Sequence, residues 1–244
     1  MKASPEHQRL LLEVQSMDTH DRQLDYTSAH LPEFAVVREL TTLLEESAAD
    51  FITRQGAVED LQREIERIES DVAVVVARIA TDIERQSHTS NAKDAQAIEA
   101  ELASLRSRHA NLEDIELEVM ERLEAAETSL AELREKRESL HADIDAAERA
   151  SHSSLAAISD ERAELLRNRT ALVAQLPPDL IELYERQRHR YGIGAALLTR
   201  GVSGGSGMAL SETDLSQIRA AAADDVVLCP DSSCILIRTE ESGL

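Results

Sequence analysis

The chain has only two cysteines, Cys229 and Cys234, both within LCPDSSCILIRTEE (228–241) and separated by four residues. Thiols in this arrangement have three chemistries open to them. They can ligate a soft or borderline metal, with Asp231 or Asp225 as an added donor. They can close a disulfide across a tight turn. They can also remain small, partly buried thiols. A zinc ribbon holds its ion with four thiolates drawn from two knuckles, each close to C-x-x-C. Here the later knuckle position reads CPDS, with Cys229 followed by Ser232, and the earlier one reads SGGS, with Ser203 and Ser206. The spacing of a ribbon is present, but three of the four side chains are hydroxyls.

A second group is basic. The segment YERQRHRYGIG places Arg186, Arg188, His189 and Arg190 between Tyr184 and Tyr191, and Arg200 follows. Cations interleaved with aromatics can contact RNA or an acidic protein surface. The plainer alternative is a junction helix whose arginines pair with acidic helices nearby. These five residues are the candidate partner-binding set. No catalytic set emerges. The histidines are scattered, GIGAALLTRG and GGSG lack the lysine of a phosphate loop, and no nucleophile stands near a base in any recognisable spacing. The sequence predicts a non-enzyme with no cofactor.

The elements that carry these residues follow from composition and period. Aromatics are 2%, charged residues 30%, and the net charge is −21 over 244 residues. Such a chain builds long helices packed on narrow seams, and its charge opposes broad contact with nucleic acid. Proline falls at 5 and 32 and then not again until 177 and 178, and Gly56 is the only glycine before residue 192. Between these breaks the apolar period is seven. Leu44, Phe51, Val58, Ile65, Val72 and Ile79 form one seam with Leu40, Leu61, Ile68 and Val75 beside it. After a polar interval, in which Ser90 or Asn91 is a fitting N-cap, a second seam runs from Ile98 through Leu133 to Leu140 and Ala147. It drifts near ERASHSSLAAISD and resumes at Ile158, Leu165 and Leu172. The spacing predicts helices over about 5–31, 33–86 and 93–176, folded as a kinked antiparallel coiled-coil hairpin over 1–176. Residues 177–244 form a small domain: a proline-opened helix at 177–190, a glycine-rich turn-prone stretch at 191–211, a short helix capped by Ser211, and a strand–turn–strand with strands near 226–228 and 235–238.

ELASLRSRHANLEDIELEVMER (101–122), PDLIELYERQR (178–188), GVSGGSGMALS (201–211) and VVLCPDSSCILIRTEE (226–241) resemble the bacterial C4-type zinc-ribbon proteins with a long coiled-coil hairpin, a family whose best-known member regulates flagellar gene expression. The resemblance implies zinc ligands at positions 203, 206, 229 and 232, and it implies that Cys234 is not a ligand. With Ser203, Ser206 and Ser232 at three of those positions, this chain reads as a degenerate member without metal, because a serine hydroxyl must lose a proton to match a thiolate. The fold class expected is mainly α: a long antiparallel coiled-coil hairpin with a small C-terminal α+β zinc-ribbon-like domain lacking metal. The function expected is a non-enzymatic adaptor or scaffold with a protein partner. The alternative is an RNA-binding regulator working through the basic junction, since the family includes a member associated with messenger RNA and a sigma factor. No apolar run is long enough for a membrane span, the setting expected is cytoplasmic, and monomer and homodimer both stay open.

Overall fold

A computed structural model describes all residues, Met1–Leu244. Five α-helices and four short strands follow one another as α1 (Pro5–Ala29), α2 (Pro32–His88), α3 (Ala92–Val173), α4 (Pro178–Tyr191), β1 (Ala195–Thr199), β2 (Val202–Ser203), α5 (Glu212–Ala220), β3 (Val227–Leu228) and β4 (Ile235–Ile237). No helix is long and apolar enough to cross a membrane. The chain packs into two compact units, Glu33–Arg149 and, separately, Met1–Pro32 with Ala150–Leu244. The expected boundary at 176/177 therefore falls inside one unit.

Glu33–Arg149 is the helical hairpin. Its turn is where the polar interval predicts it. The Asn91 side chain accepts from Lys93 N at 3.0 Å and its carbonyl accepts from Ala95 N, so Asn91 caps α3. Val58, Ile68 and Val75 of α2 are buried, as are Ile98, Leu102, Val119, Leu130, Leu133 and Leu140 of α3. Leu44, Phe51, Leu61, Ile65, Val72 and Ile79 are half-buried in the same stripe, as expected where only two helices share a seam. Polar side chains pin the antiparallel register. Arg54 donates to the Ser129 carbonyl and hydroxyl at 3.0 and 2.7 Å. Arg137 donates to the Leu44 carbonyl at 2.9 Å and lies over the Phe51 ring. Arg78 reaches Glu101 at 2.9 Å. Asp82 sits in the seam with no exposure and is paired to Arg78 and Arg85 at 3.2 and 3.1 Å.

The second unit gathers α1, the last turns of α3, α4 and a four-stranded sheet of order β2-β1-β4-β3. β1 runs parallel to β4, with Ala195 opposite Ile235, while β1–β2 and β3–β4 are antiparallel. Alternation along β4 divides the core. Ile235 and Ile237 face Leu11 and Val14 of α1, Leu172 and Leu176, and Leu180 and Tyr184 of α4. Cys234 and Leu236 face the opposite side, with Cys229, Ala196, Leu198, Leu210 and Ile218. AALLT, which the sequence reads as part of a turn-prone stretch, is instead the central strand. Its flanking glycines are turn and close-packing sites: Gly192 caps α4 at φ +83, and a Cβ on Gly194 would lie 2.5 Å from the Tyr184 ring. The chain start also joins the sheet edge. Ala3 N donates to Asp224 O, Val226 N donates to Met1 O, and Lys2 pairs with Asp224 at 2.9 Å.

Candidate functional site

The turns that a ribbon would tie through a cation are tied here by hydroxyls and backbone. Ser203 ends β2 and is fully buried. Its N–H donates to Met208 O at 3.0 Å and its carbonyl accepts from Gly207 N at 2.8 Å. Its hydroxyl accepts from Gly205 N and Ser206 N at 3.3 and 3.4 Å, so SGGS closes on its own first serine. Opposite, Cys229 N donates to Cys234 O at 2.8 Å and Ser233 N donates to Cys229 O at 2.9 Å, with Ser233 at φ +57. The Ser232 hydroxyl donates to Cys234 Sγ at 3.2 Å, and Ser232 N donates to Cys229 Sγ at 3.5 Å.

Three of the four positions that the resemblance implies therefore converge: Ser203, Cys229 and Ser232. Ser206 does not join them. It is half-buried, and its hydroxyl accepts from Met208 N at 3.3 Å within its own loop. Cys234, expected outside the ligand pattern, turns into the cluster, and Gly205 lies so close that a Cβ there would meet Cys234 Sγ at 2.4 Å. The donor set is two thiols and two hydroxyls. No group of three His, Cys, Asp or Glu side chains is placed to hold a metal ion, and two thiols with two hydroxyls do not fit a tetrahedral thiolate zinc centre. The two thiols differ electrostatically. Burial pushes the Cys229 thiol up, but bonds from the Ser203 and Ser232 hydroxyls and from the N–H groups of Ser232 and Asp231 outweigh it, and the thiol ends below its ordinary value. Burial dominates at Cys234 and raises it.

The basic junction splits between two faces of α4. Arg188 turns inward and pairs with the buried Asp18 carboxylate at 3.2 Å and with Glu185 at 2.9 Å. Arg186, His189 and Arg190 are exposed on the outer face. Of these, Arg186 pairs with Glu182 at 2.8 Å and Arg190 lies over the Tyr191 ring at 5.3 Å. Arg200 is in the β1–β2 turn at φ +49, with its N–H bonded to Glu241 O. A pairing role for Arg188 agrees with the plainer reading of this segment.

Residues 14–192 match the CT398-like coiled coil hairpin domain. The chain belongs to that family. An uncharacterized protein of Mycobacterium tuberculosis is 36% identical over 245 residues, covering 98% of both chains. A solved structure from Mycobacterium smegmatis is 32% identical, covers 98% of this chain and all of that one, and superposes with a TM-score of 0.80. CT398 of Chlamydia trachomatis, at 20% identity and covering 95% of this chain and 97% of its own, shares the fold with a TM-score of 0.58. The family match ends at the α4 cap, so the sheet and its thiol cluster lie beyond it.

Within this member of the coiled coil hairpin family, a buried charged network that the sequence reading missed centres on Asp18. Asp18 of α1 accepts from Arg169 at 2.7 and 3.1 Å, from the Tyr184 hydroxyl at 2.6 Å and from Arg188. Arg169 also pairs with Glu185. Gln15, one turn earlier, accepts from Gly194 N at 2.7 Å. Burial, followed by the bond to Asp18, raises the Tyr184 phenol far above its ordinary value, and the bond to Asp18 holds Arg169 protonated. These groups lie up to 179 positions apart in the chain, and no local motif marks them. The one available signal is a lone Asp at a core-facing position of α1, between Val14 and Leu24. Arg238 was missed for the same reason. Its guanidinium donates to the carbonyls of Ile218, Ala221, Ala222 and Asp225 at 2.6–3.2 Å and closes the end of α5.

Proposed function

We propose that this chain is a non-enzymatic adaptor whose helical hairpin docks a protein partner bearing an apolar stripe flanked by lysine or arginine. The observation that carries this reading is the apolar run of α2, where Val74 on one side of the helix is 67% exposed and Val76 and Ile83 on the other side are about half exposed. Exposed helix positions normally go to polar residues, and here aliphatic side chains flank the seam on both sides, which widens the surface open to an apolar contact. The apolar run 72–80 surrounds the helix, although only Val72, Val75 and Ile79 serve the seam. The partner's basic flanks follow from charge complementarity with a chain of net charge −21. The ribbon-like half is read as a knuckle pair that has exchanged thiolates for hydroxyls, in keeping with the convergence of Ser203, Cys229 and Ser232.

The test is affinity capture from a bacterial lysate on the immobilised chain, with and without nuclease, using wild type and the triple variant V74S/V76S/I83S. Protein retained through nuclease treatment and lost in the triple variant, with helicity unchanged, supports the adaptor. Retention that vanishes with nuclease supports the nucleic-acid reading instead. The exposure of Arg186, His189 and Arg190 favours that second reading, and the diversion of Arg188 to Asp18 weakens it. In that case R186E/R190E would abolish capture and V74S/V76S/I83S would not.

A further inference from the structure

The β3–β4 hairpin pairs Val227 with Leu236 and Leu228 with Ile235. One step further along this register, Cys229 stands opposite Cys234, and their backbones are joined by the 2.8 Å bond from Cys229 N to Cys234 O. The Cys229 carbonyl accepts from Ser233 N, so the pair stands at the turn end of the ladder; directly opposite residues of an antiparallel pair have Cα atoms about 4.5–5.5 Å apart, inside the range of about 4.4–6.8 Å that disulfides span. Both side chains fall on the same face of the sheet, in one apolar cluster with Ala196, Leu198 and Leu236. Ser232 touches both sulfurs: its hydroxyl donates to Cys234 Sγ at 3.2 Å and its N–H donates to Cys229 Sγ at 3.5 Å.

We propose that Cys229 and Cys234 are a peroxide-responsive modification site, converted by hydrogen peroxide into an intrachain disulfide and restored by an external dithiol. The Cys229 sulfur attacks one oxygen of the peroxide and the O–O bond breaks. Cys229 becomes a sulfenic acid, and the other oxygen leaves as water after taking up the thiol proton. The Cys234 sulfur then attacks the Cys229 sulfur. The S–O bond breaks, the S–S bond forms, and a second water leaves with the Cys234 proton, so two thiols and one peroxide give one disulfide and two waters. A dithiol reverses the step by exchange through a mixed disulfide, reducing the protein as it is itself oxidised.

Sterics select the oxidant and the product. Both cysteines are buried, and Gly205 leaves no room beside Cys234 Sγ even for a methyl group. A peroxide of nearly water size fits this site better than a bulky disulfide oxidant. The resolving thiol is already in place, because the turn between the cysteines is closed by its own hydrogen bonds. The loop enclosed is short, so the new bond adds little by chain entropy.

The experiment uses the full chain, reduced, freed of reductant and exposed to hydrogen peroxide. The expected result is an intact mass lower by two hydrogens. The tryptic peptide 220–238, which holds both cysteines, becomes unreactive to iodoacetamide, and dithiothreitol restores it. In C234A the sulfenic acid at Cys229 persists and is trapped by dimedone, whereas in C229A the Cys234 thiol survives. The proposal is overturned if folded wild type gains oxygen without losing hydrogen, forms only interchain disulfides, or keeps both thiols alkylatable after peroxide. The wild-type measurement decides the matter even if a variant fails to fold.

Discussion

Replacing Asp18 with asparagine keeps the shape of the side chain and removes its charge. The carboxylate is 4% exposed and accepts from two guanidiniums and one phenol. Removing one member of a buried ion pair costs about 3–5 kcal/mol, because the partner's charge is left uncompensated. Two features reduce that here. Arg169 and Arg188 both keep Glu185, and their side chains are 19% and 35% exposed, so water and a second carboxylate absorb part of the loss. The expected cost is about 2–3 kcal/mol by that discounted figure. Y184F removes one hydrogen bond to a charged acceptor, at about 1.5 kcal/mol. Because the two residues touch, the double variant should lose less than the sum of the singles. Hydrogen exchange localises the effect to one unit, which a whole-chain melt does not. Amides of β1 and α4 should exchange about thirtyfold faster or more in D18N, since each 1.4 kcal/mol is about tenfold, while α2 amides near Val58 stay unchanged. Wild-type exchange rates at β1 and α4 in D18N would refute the view that this network holds the unit together.

Three further outcomes follow from the same packing. In the hairpin, L133A should lower urea stability by about 2–4 kcal/mol because Leu133 is buried in the seam, and I65A should cost clearly less because Ile65 is half-buried. Equal effects would mean that the seam is centred elsewhere. R238A should free the carbonyls at the end of α5, so that amides between 219 and 226 exchange faster while those of α1 barely change. Alkylation rates against pH, measured on C234A and C229A, should place the Cys229 half-point below that of a free thiol and the Cys234 half-point above it. By linkage, the contribution of Cys229 to stability is present above the unfolded thiol pKa and fades as pH falls through the lowered folded value. That of Cys234 is present below the unfolded pKa and fades as pH rises through the raised one.

Much of this molecule is legible in one dimension, because helices are local and seams repeat. The period of Val58, Ile65, Val72 and Ile79, the prolines at 32, 177 and 178, and the polar interval before Ala92 set three long helices to within about three residues, and Ser211 marks the start of α5. Each depends on neighbours three to seven positions away. The hydroxyls at 203, 206 and 232 are equally plain and already speak against thiolate chemistry. What tertiary structure alone decided is which distant groups meet. AALLT is a central strand only because β4 lies parallel to it and α1 covers it. Asp18 is a hub only because α3 and α4 bring Arg169, Tyr184 and Arg188 to one carboxylate. Arg188 leaves the basic surface that its neighbours suggest only because the inward side of α4 carries it to Asp18 and Glu185. Cys234 joins Ser203 because a two-residue strand and a tight turn aim both side chains at one face of the sheet. Local periodicity records burial, but it does not record which partner does the burying, and the chemistry of a site is set by the partner.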